Sequence, residues 1–455
     1  MSTEPHNLNR RSVLQIGGAS TLGLTLPQLL AARTGAAAGP RDVGKAKQLI
    51  ILFLHGGHPQ QETFDPKPAG PAETRGEFGA VSTAIPGIQF SELLPKCATL
   101  ANQFAVVRSM SHENTNHVQA CLPAQTGHKH PASFRSMGDF PPSDTDFPPV
   151  GAVVDHLYDG ENRLPNWVRI GPLMSRSNGT TVHGQTPGFL GAKHSSFAVD
   201  QPLIGEDVKI QAVQGRTGLN DIRLSGRNNL RAEFNKLSDR IQRETAIEQL
   251  NEFYGRAADL LGSSTTRRAF DISTETVETR EMYGSTEFGQ RCLLARRLAE
   301  AGVPVVNISY CHKPGDSWDT HSRHFSKTKD KLAPDLDQAF SALIKDLDQR
   351  GMADDTLVIV NAEFGRTPKV NANAGRDHWP FVYSLALFGA GIKRGAVHGA
   401  SDKSAAYPQS TPINPADMAA TLYHLLGVDP DTRILDSSGR PHSLIVGKPI
   451  EPILT

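Results

Sequence analysis

The chain has 455 residues, and its 47 Lys and Arg side chains balance 47 Asp and Glu side chains, so the formal net charge at pH 7 is zero. Such a balance gives no basic surface for nucleic acid or for an anionic membrane, and it argues against both as partners. A chain of this length can form one large α/β domain with insertions or two domains.

The first forty residues have the organisation of an export signal. Arg10 and Arg11 precede a weakly apolar run over 16–30, and the small residues of 36–38 offer a cleavage site. The sequence therefore predicts a twin-arginine signal peptide at 1–38, recognised by the twin-arginine export machinery. The mature protein would then be periplasmic or secreted. Because this route carries folded proteins, it is compatible with a metal inserted before export.

Strand patterns alternate with helix patterns along the rest of the chain. Short apolar runs predict buried strands at 47–54, 104–108, 303–309, 356–360 and 383–388. Helical spacing of apolar residues predicts helices over 91–102, 112–126 (after a loop), 230–261, 288–299, 332–347 and 415–426. The alternation indicates an α/β fold with a mostly parallel central sheet and helices on both faces, as one domain over 39–455. The stretch 160–226, rich in Gly, Pro and Ser, is interpreted as a loop-rich insertion at one edge.

Carboxylates and imidazoles gather after three of the predicted strands. In chain order they are His55, His58, Glu62 and Asp65, then Asp316, Asp319, His321 and His324, then Glu363, Asp377 and His378. The loop after the 104–108 strand adds His112 and His117. Ligands of α/β sheets bind beyond the carboxyl ends of the strands, where these clusters should meet. Asp and His side chains suit a divalent ion: zinc, manganese, iron or, with oxygen ligands, calcium.

Arg366 follows the 356–360 strand within the same predicted cluster. A guanidinium there can bind a phosphate or sulfate through two parallel hydrogen bonds. It can equally form a structural ion pair with Glu363, three residues away. Both interpretations stay open from the sequence.

Five segments carry a resemblance to a known family. They are Phe64-Asp-Pro-Lys-Pro, Arg75-Gly-Glu-Phe, Ser317-Trp-Asp-Thr-His, Glu363-Phe-Gly-Arg-Thr and Gly375-Arg-Asp-His-Trp-Pro. Together they resemble a family of uncharacterised, twin-arginine-exported bacterial proteins, a domain of unknown function grouped with the alkaline phosphatase and sulfatase superfamily. The resemblance covers nearly the whole mature chain. It implies an alkaline phosphatase/sulfatase-like fold.

The resemblance also implies a set of metal ligands. Either Glu62 or Asp65 corresponds to the acidic ligand after the first strand. Asp319 with His321 or His324 corresponds to a later Asp and His pair. Glu363 takes the position of the aspartate in an Asp-His dipeptide, and His378 that of the final histidine. The implied ligands are Glu62, Asp65, Asp319, His321, Glu363 and His378.

Two departures from the superfamily pattern bear on mechanism. Phe364 stands where the superfamily has a histidine ligand, which leaves open whether one ion or two are bound. Cys121-Leu-Pro-Ala resembles the start of the sulfatase signature around a modified cysteine, but the arginine of that signature is missing, and Cys121 is also typical of a core residue. Thr115 is the nearest hydroxyl that could act as a nucleophile, and His117 would help to bind the anion.

The sequence thus predicts an exported, metal-dependent hydrolase of sulfate or phosphate esters, acting on a small molecule or a polysaccharide. Thr115, His117 and Arg366 are the expected catalytic residues, with Thr115 or an activated water as the attacking group. The alternative is a non-catalytic exported protein of the same fold that binds surface polysaccharide or a protein partner.

Overall fold

The computed structural model describes residues 44–131, 138–158, 164–205, 210, 264–311 and 317–455. The predicted signal peptide at 1–38, the helix predicted over 230–261 and Asp316 lie outside these ranges. Among the described residues, no helix is both long enough and apolar enough to cross a membrane.

Fourteen strands occur in the described part of the chain. They are β1 (Gln48–Phe53), β2 (Ala80–Ser82), β3 (Gln89–Ser91), β4 (Ala105–Met110), β5 (Trp167–Ile170), β6 (Phe197–Val199), β7 (Val305–Ser309), β8 (Thr356–Asn361), β9 (Gly365–Arg366), β10 (His378–Trp379), β11 (Tyr383–Gly389), β12 (Val397–His398), β13 (Arg433–Leu435) and β14 (Pro441–Ser443). Eight of them form the central sheet, in the order β12-β4-β11-β8-β1-β7-β5-β6. Strand β11 runs antiparallel to β4 and β8, and the other pairs are parallel.

Nine α-helices are present in the same ranges. They are α1 (Pro95–Thr99), α2 (His117–Thr126), α3 (Val150–Leu157), α4 (Ser264–Phe270), α5 (Val277–Tyr283), α6 (Glu287–Glu300), α7 (His324–Lys327), α8 (Ala333–Gln349) and α9 (Pro415–Leu425). A π-helical turn, Thr328–Leu332, joins α7 to α8.

Helices cover both faces of the central sheet. Successive residues of a strand point to opposite faces, and those of β1 accordingly enter two separate apolar clusters. Ile50 and Leu52 pack with residues of α6 and α8, whereas Leu49 and Ile51 pack with residues of α2 and α9. Full burial of each such side chain stabilises the fold by about 1.5–3 kcal/mol. The predicted α/β class, with a mostly parallel sheet covered on both sides, is confirmed.

The elements differ from the sequence prediction in two regions. The helix predicted over 91–102 is reduced to α1, because β3 extends to Ser91 and a 3-10 turn, Ala101–Gln103, follows the helix. Asp337 of α8 accepts the Cys97 backbone N–H at 2.7 Å and caps the first turn of α1. The stretch 160–226 contributes β5 and β6 to one edge of the sheet. Both strands are short, so their side chains show little periodicity in the sequence.

The strands that carry the polar clusters end level with one another. Phe53, the last residue of β1, pairs with Asn361 at the end of β8 and with Ser309 at the end of β7. The loops that follow these three neighbouring strands therefore start from one edge of the sheet. Strand β4 is parallel to them through β11, and the chain that follows it enters α2 beside the same edge.

Candidate metal centre

Three histidines and one aspartate converge beyond this edge. His117 is the first residue of α2, Asp319 and His321 follow β7, and His378 begins β10. The Nε2 atoms of the histidines lie close to the carboxylate: His321 at 3.0 Å and His378 at 3.2 Å from Oδ1, and His117 at 3.3 Å from Oδ2. One ligand atom from each of the four residues lies within 4.8 Å of the others.

Each of these imidazoles also forms a hydrogen bond through its Nδ1 atom, which fixes the orientation of the ring. The oxygens near the three Nδ1 atoms are Glu363 Oε1 at 2.7 Å from His117, Asp377 Oδ1 at 2.6 Å from His321, and the Thr115 carbonyl oxygen at 2.6 Å from His378. These oxygens accept a hydrogen bond from Nδ1–H, so the lone pair of each neutral ring is on Nε2. Such outer partners orient histidine ligands and make them more basic. The three Nε2 atoms are thereby directed at the same small volume as the carboxylate.

Asp319 is ionised in this environment. Burial alone would raise the pKa of Asp319, but the Arg366 guanidinium and the imidazoles of His117, His321 and His378 outweigh burial and lower the pKa far below its usual range. A permanently charged carboxylate surrounded by imidazoles provides the negative charge that a cation requires.

The histidines differ in how readily they hold a proton. Burial would lower the pKa of His117, but the nearby carboxylates of Asp319 and Glu363 outweigh that effect and raise it. The hydrogen bond to Asp319 is the main reason that the pKa of His321 is raised. Burial lowers the pKa of His378 to about 4. A metal ion at the Nε2 atoms would compete with protons on His117 and His321, so we expect metal binding to weaken as the pH falls.

The donor set fits a divalent metal ion. His117 Nε2 is buried and has no hydrogen-bond partner, although it is directed at Asp319. Three imidazoles and one carboxylate are a common ligand set for zinc. The His117 side chain is 3 % exposed whereas that of His321 is 45 % exposed. The cluster thus has a buried base and a side that solvent can reach.

Comparison with known proteins identifies the family. A family model described as "Protein of unknown function (DUF1501)" matches residues 46–454. The chain belongs to this family. None of the curated proteins matches the chain in sequence.

Solved structures with a similar chain path come from several bacteria. A protein of the alkaline phosphatase superfamily from Vibrio parahaemolyticus has 13% identity and a TM-score of 0.40, with 91% of this chain and 72% of that chain covered. The sulfatase PsFucS1 from Pseudoalteromonas sp. has 13% identity and a TM-score of 0.39, with coverage of 89% and 72%. The phosphonate monoester hydrolase of Agrobacterium radiobacter has 11% identity and a TM-score of 0.36, with coverage of 90% and 77%.

Glu363 of this DUF1501 protein stands behind the four-residue cluster. Its side chain is fully buried, and Oε1 accepts the Gly56 backbone N–H at 2.7 Å and lies 3.2 Å from His55 Nδ1. Burial would raise the pKa of Glu363, but His55 and His117 outweigh burial and lower it well below its usual range. Glu363 with His55 and Cys121 forms a second group of ligand atoms within 4.8 Å. The 2.7 Å contact of its Oε1 with His117 Nδ1 makes Glu363 the outer partner of His117.

Glu62 and Asp65 lie outside the histidine cluster, in ion pairs of their own. Glu62 Oε1 accepts a hydrogen bond from the Arg376 guanidinium at 2.6 Å, and Oε2 lies 3.4 Å from His324 Nε2. Asp65 Oδ1 lies 2.9 Å from Lys67 Nζ, and its Oδ2 accepts hydrogen bonds from Ser401. The structure therefore does not bring these two carboxylates to Asp319, and it pairs His324 with Glu62.

Arg366 is fully buried and all of its donor nitrogens are engaged. Nε donates to the Gly57 carbonyl at 3.1 Å, Nη1 to the Arg376 carbonyl at 3.0 Å, and Nη2 to the Gly56 carbonyl and to Asp319 Oδ1, the latter at 2.6 Å. The carboxylate that pairs with Arg366 is Asp319, and not Glu363 as one interpretation of the sequence had it. The guanidinium fixes the carboxylate of the cluster, and an anion-binding role for Arg366 stays a prediction.

The remaining candidates surround the cluster. Thr115 is exposed, and its backbone carbonyl orients His378. Phe364 is fully buried and stacks on His378 with ring centroids 4.6 Å apart. Cys121 is fully buried within the apolar cluster shared by α2 and α9, as expected for a core residue.

Sequence reasoning did not assign a role to Asp377 or to the Thr115 carbonyl. Asp377 directly precedes His378, but it orients His321, because the pairing of β10 with β9 brings 377 next to the loop after β7. In the sequence, the position of Asp377 directly before His378 was the signal that could have assigned it to the site. A backbone carbonyl leaves no signal in the residue types, and the contact with Thr115 follows only from the path of the chain into α2.

The buried His58, beside this site, makes stability depend on pH. Burial lowers the pKa of His58 to about 4, against about 6.5 in an unfolded chain. Between these values the unfolded chain takes up a proton that the folded chain does not, so the free energy of unfolding falls as the pH falls from about 6.5 to about 4. In His58→Gln, we expect this dependence to weaken by up to about 1.4 kcal/mol per pH unit, measured by urea unfolding at a series of pH values. The exposed His424→Gln variant should keep the wild-type slope, and an equal slope in His58→Gln would contradict the prediction.

Proposed function

We propose that the protein is an exported, metal-dependent hydrolase of sulfate or phosphate esters, and that His117, Asp319, His321 and His378 hold the ion. The observation that carries this proposal is the convergence of three imidazole Nε2 atoms on one ionised carboxylate, each ring fixed through Nδ1. Relative to the sequence prediction, His117 moves from anion binding to metal binding. Glu363 moves from metal binding to orienting His117.

The residues in and around the cluster would each have a separate role in hydrolysis. A bound divalent ion would supply Lewis-acid polarisation of an ester oxygen and a lowered pKa for water. Arg366 keeps Asp319 charged and fixed, while Glu363 and Asp377 hold two of the imidazoles in orientation. His321, which is partly exposed, lies on the side of the cluster that a substrate can reach.

The attacking group would be water or the Thr115 hydroxyl. Thr115 immediately precedes Asn116, the N-cap of α2, whose side chain accepts the Val118 backbone N–H. Because His117 is the first residue of this ten-residue helix, the positive end of the helix lies at the cluster. An anionic ester bound there would be favoured by the helix end and by the ion together. The substrate class itself, a small-molecule or polysaccharide sulfate or phosphate ester, comes from the family resemblance.

The second candidate is a non-catalytic exported protein that keeps the metal centre and binds surface polysaccharide or a protein. Four of the five N–H groups of Arg366 already donate to protein oxygens, and this favours the second candidate, because at most one Nη1 N–H is left for an incoming anion. Both candidate functions include the metal centre, and they differ in whether the protein hydrolyses an ester.

Elemental analysis of the protein reconstituted with zinc tests the metal centre. We expect His378→Ala to lose about one equivalent relative to the wild type, because a ligand and the stacking partner of Phe364 are removed. Hydrolysis of aryl sulfates and aryl phosphates should fall by more than about 100-fold in the same variant. Replacement of the exposed His424 by Ala is the matched control and should change neither quantity. Equal zinc content in His378→Ala and the wild type would refute the centre, whereas zinc binding without turnover of any ester would favour the binding protein.

Asp377→Asn tests the role of the outer carboxylates. The amide keeps the size of the side chain but removes the charge that orients His321, so we expect zinc affinity to fall by about 10–100-fold. Competition with a chromogenic chelator measures this affinity. Asp348→Asn, a replacement of an exposed carboxylate on α8, should leave it unchanged. An unchanged affinity in Asp377→Asn would remove Asp377 from the site.

Export is proposed from Arg10 and Arg11 and is tested by cell fractionation. Because the twin-arginine machinery recognises the pair, replacing both residues with lysine should retain the full-length protein in the cytoplasm. The wild type should be found, shortened, in the periplasm or the medium. Export of the double-lysine variant at the wild-type level would exclude this route.

A further inference from the structure

A second group of metal-ligand side chains lies apart from the candidate centre. His130 follows α2, Asp146 precedes α3, and His183 lies between β5 and β6. One ligand atom from each of the three lies within 4.8 Å of the others. We propose that His130, Asp146 and His183 bind a divalent transition-metal ion of the zinc type, which ties three loops of the chain together.

The hydrogen bonds of His183 require a positive charge at this point. Its Nε2 lies 3.1 Å from the Phe140 carbonyl oxygen, and its Nδ1 lies 2.5 Å from Asp146 Oδ2. A carbonyl oxygen only accepts, so Nε2 carries the proton of the neutral ring and Nδ1 presents a lone pair to the carboxylate. A lone pair and a carboxylate oxygen repel each other unless a second proton or a metal ion joins them.

The position of His130 favours a metal ion over a proton as the positive charge between His183 and Asp146. A proton shared by His183 and Asp146 already completes their ion pair without a third ligand. The structure nevertheless places the His130 ring against His183, with centroids 4.6 Å apart and planes at 87°. Two imidazoles with one carboxylate are a ligand set that binds zinc and related ions, with open positions left for water.

The loops hold two of these side chains in fixed positions. The Phe189 backbone N–H donates to the Asp146 carbonyl at 3.1 Å, and the Ser143 backbone N–H donates to Asp146 Oδ2 at 3.2 Å. Gln125 Nε2, from α2, donates to the His183 carbonyl at 3.1 Å. The His183 side chain is fully buried and that of Asp146 is 8 % exposed. A preformed site of this kind loses little entropy on binding an ion.

An ion can reach the group through a neighbouring cavity. A cavity of about 460 Å³ has His130 and Asp146 in its wall, together with Lys129, Asp144 and His442. A single water needs about 30 Å³, so the cavity admits a hydrated ion. None of the three proposed ligands belongs to the centre at Asp319, and this inference therefore does not depend on the proposed function.

The test is the zinc content of the full chain after reconstitution and removal of free metal, together with the melting temperature before and after chelation. We expect about two equivalents in the wild type and about one in Asp146→Asn, in His130→Ala and in His378→Ala. The double variant with His130→Ala and His378→Ala should hold none. Because the ion joins three loops, chelation should lower the melting temperature of His378→Ala more than that of the double variant.

Two design choices keep the test decisive. Asp146→Asn preserves the shape of the side chain, and His130 is only half-buried, so at least one of these variants should fold. His442→Gln is the matched control: His442 lines the same cavity and pairs with Asp436 at 2.9 Å, but it is not one of the proposed ligands. Its zinc content should equal that of the wild type.

The outcomes separate the two metal sites. Wild-type zinc content in both Asp146→Asn and His130→Ala overturns the second site, whatever His378→Ala shows. Loss of one equivalent in these two variants with no loss in His378→Ala supports the second site and overturns the centre at Asp319. Loss of zinc in His442→Gln to the same extent as in His130→Ala would also overturn the assignment, because the cavity rather than the three ligands would then hold the metal.

Discussion

The ion pair between Arg366 and Asp319 is the interaction on which the candidate centre depends. Both side chains start from loops beyond the sheet, and the guanidinium is held by carbonyl oxygens of Gly56, Gly57 and Arg376. A buried guanidinium without its carboxylate would cost several kcal/mol, and so would the carboxylate without its cations. Each partner therefore fixes the other. The three imidazoles then share a carboxylate whose position and charge are already determined.

The sheet explains why residues so distant in sequence meet at this carboxylate. Strands β8, β1 and β7 are neighbours and end in register, so the loops after them leave from one edge. The loop after β1 supplies the carbonyls that bind Arg366, the loop after β7 supplies Asp319 and His321, and the chain after β8 supplies Arg366 and His378. Strand β4 adds the start of α2 and with it His117. The position of the centre therefore depends on the strand order of the sheet as well as on the chemistry of the side chains.

Periodic elements could be predicted from the sequence because their signal is local. The five buried strands and the helices α6, α8 and α9 have clear apolar patterns, and the structure has them where the patterns indicate. Helix α1 is shorter than predicted because β3 takes up the start of the predicted segment, and its first turn is capped by Asp337, more than two hundred positions away in the chain. Strands β5 and β6 are too short for a pattern to emerge.

The site was predictable in its residue types but not in its pairings. Asp319, His321 and His378 were expected together, and the structure brings them together. Glu62 and Asp65 are carboxylates in the loop after β1 and could in principle bind a metal. They instead form ion pairs with Arg376 and Lys67, and their local sequence does not indicate these ion pairs. The roles of His117 and Glu363 likewise depend on a hydrogen bond between two residues that the fold alone brings together.

The separation of the four ligands along the chain has a consequence for biogenesis. His117, Asp319, His321 and His378 become neighbours only after the crossovers that join β4, β7 and β8 have formed. A partly folded chain would offer at most two of these ligands on one segment, too few to hold an ion firmly. Metal binding at the centre would therefore indicate that β4, β7 and β8 have already assembled in the sheet.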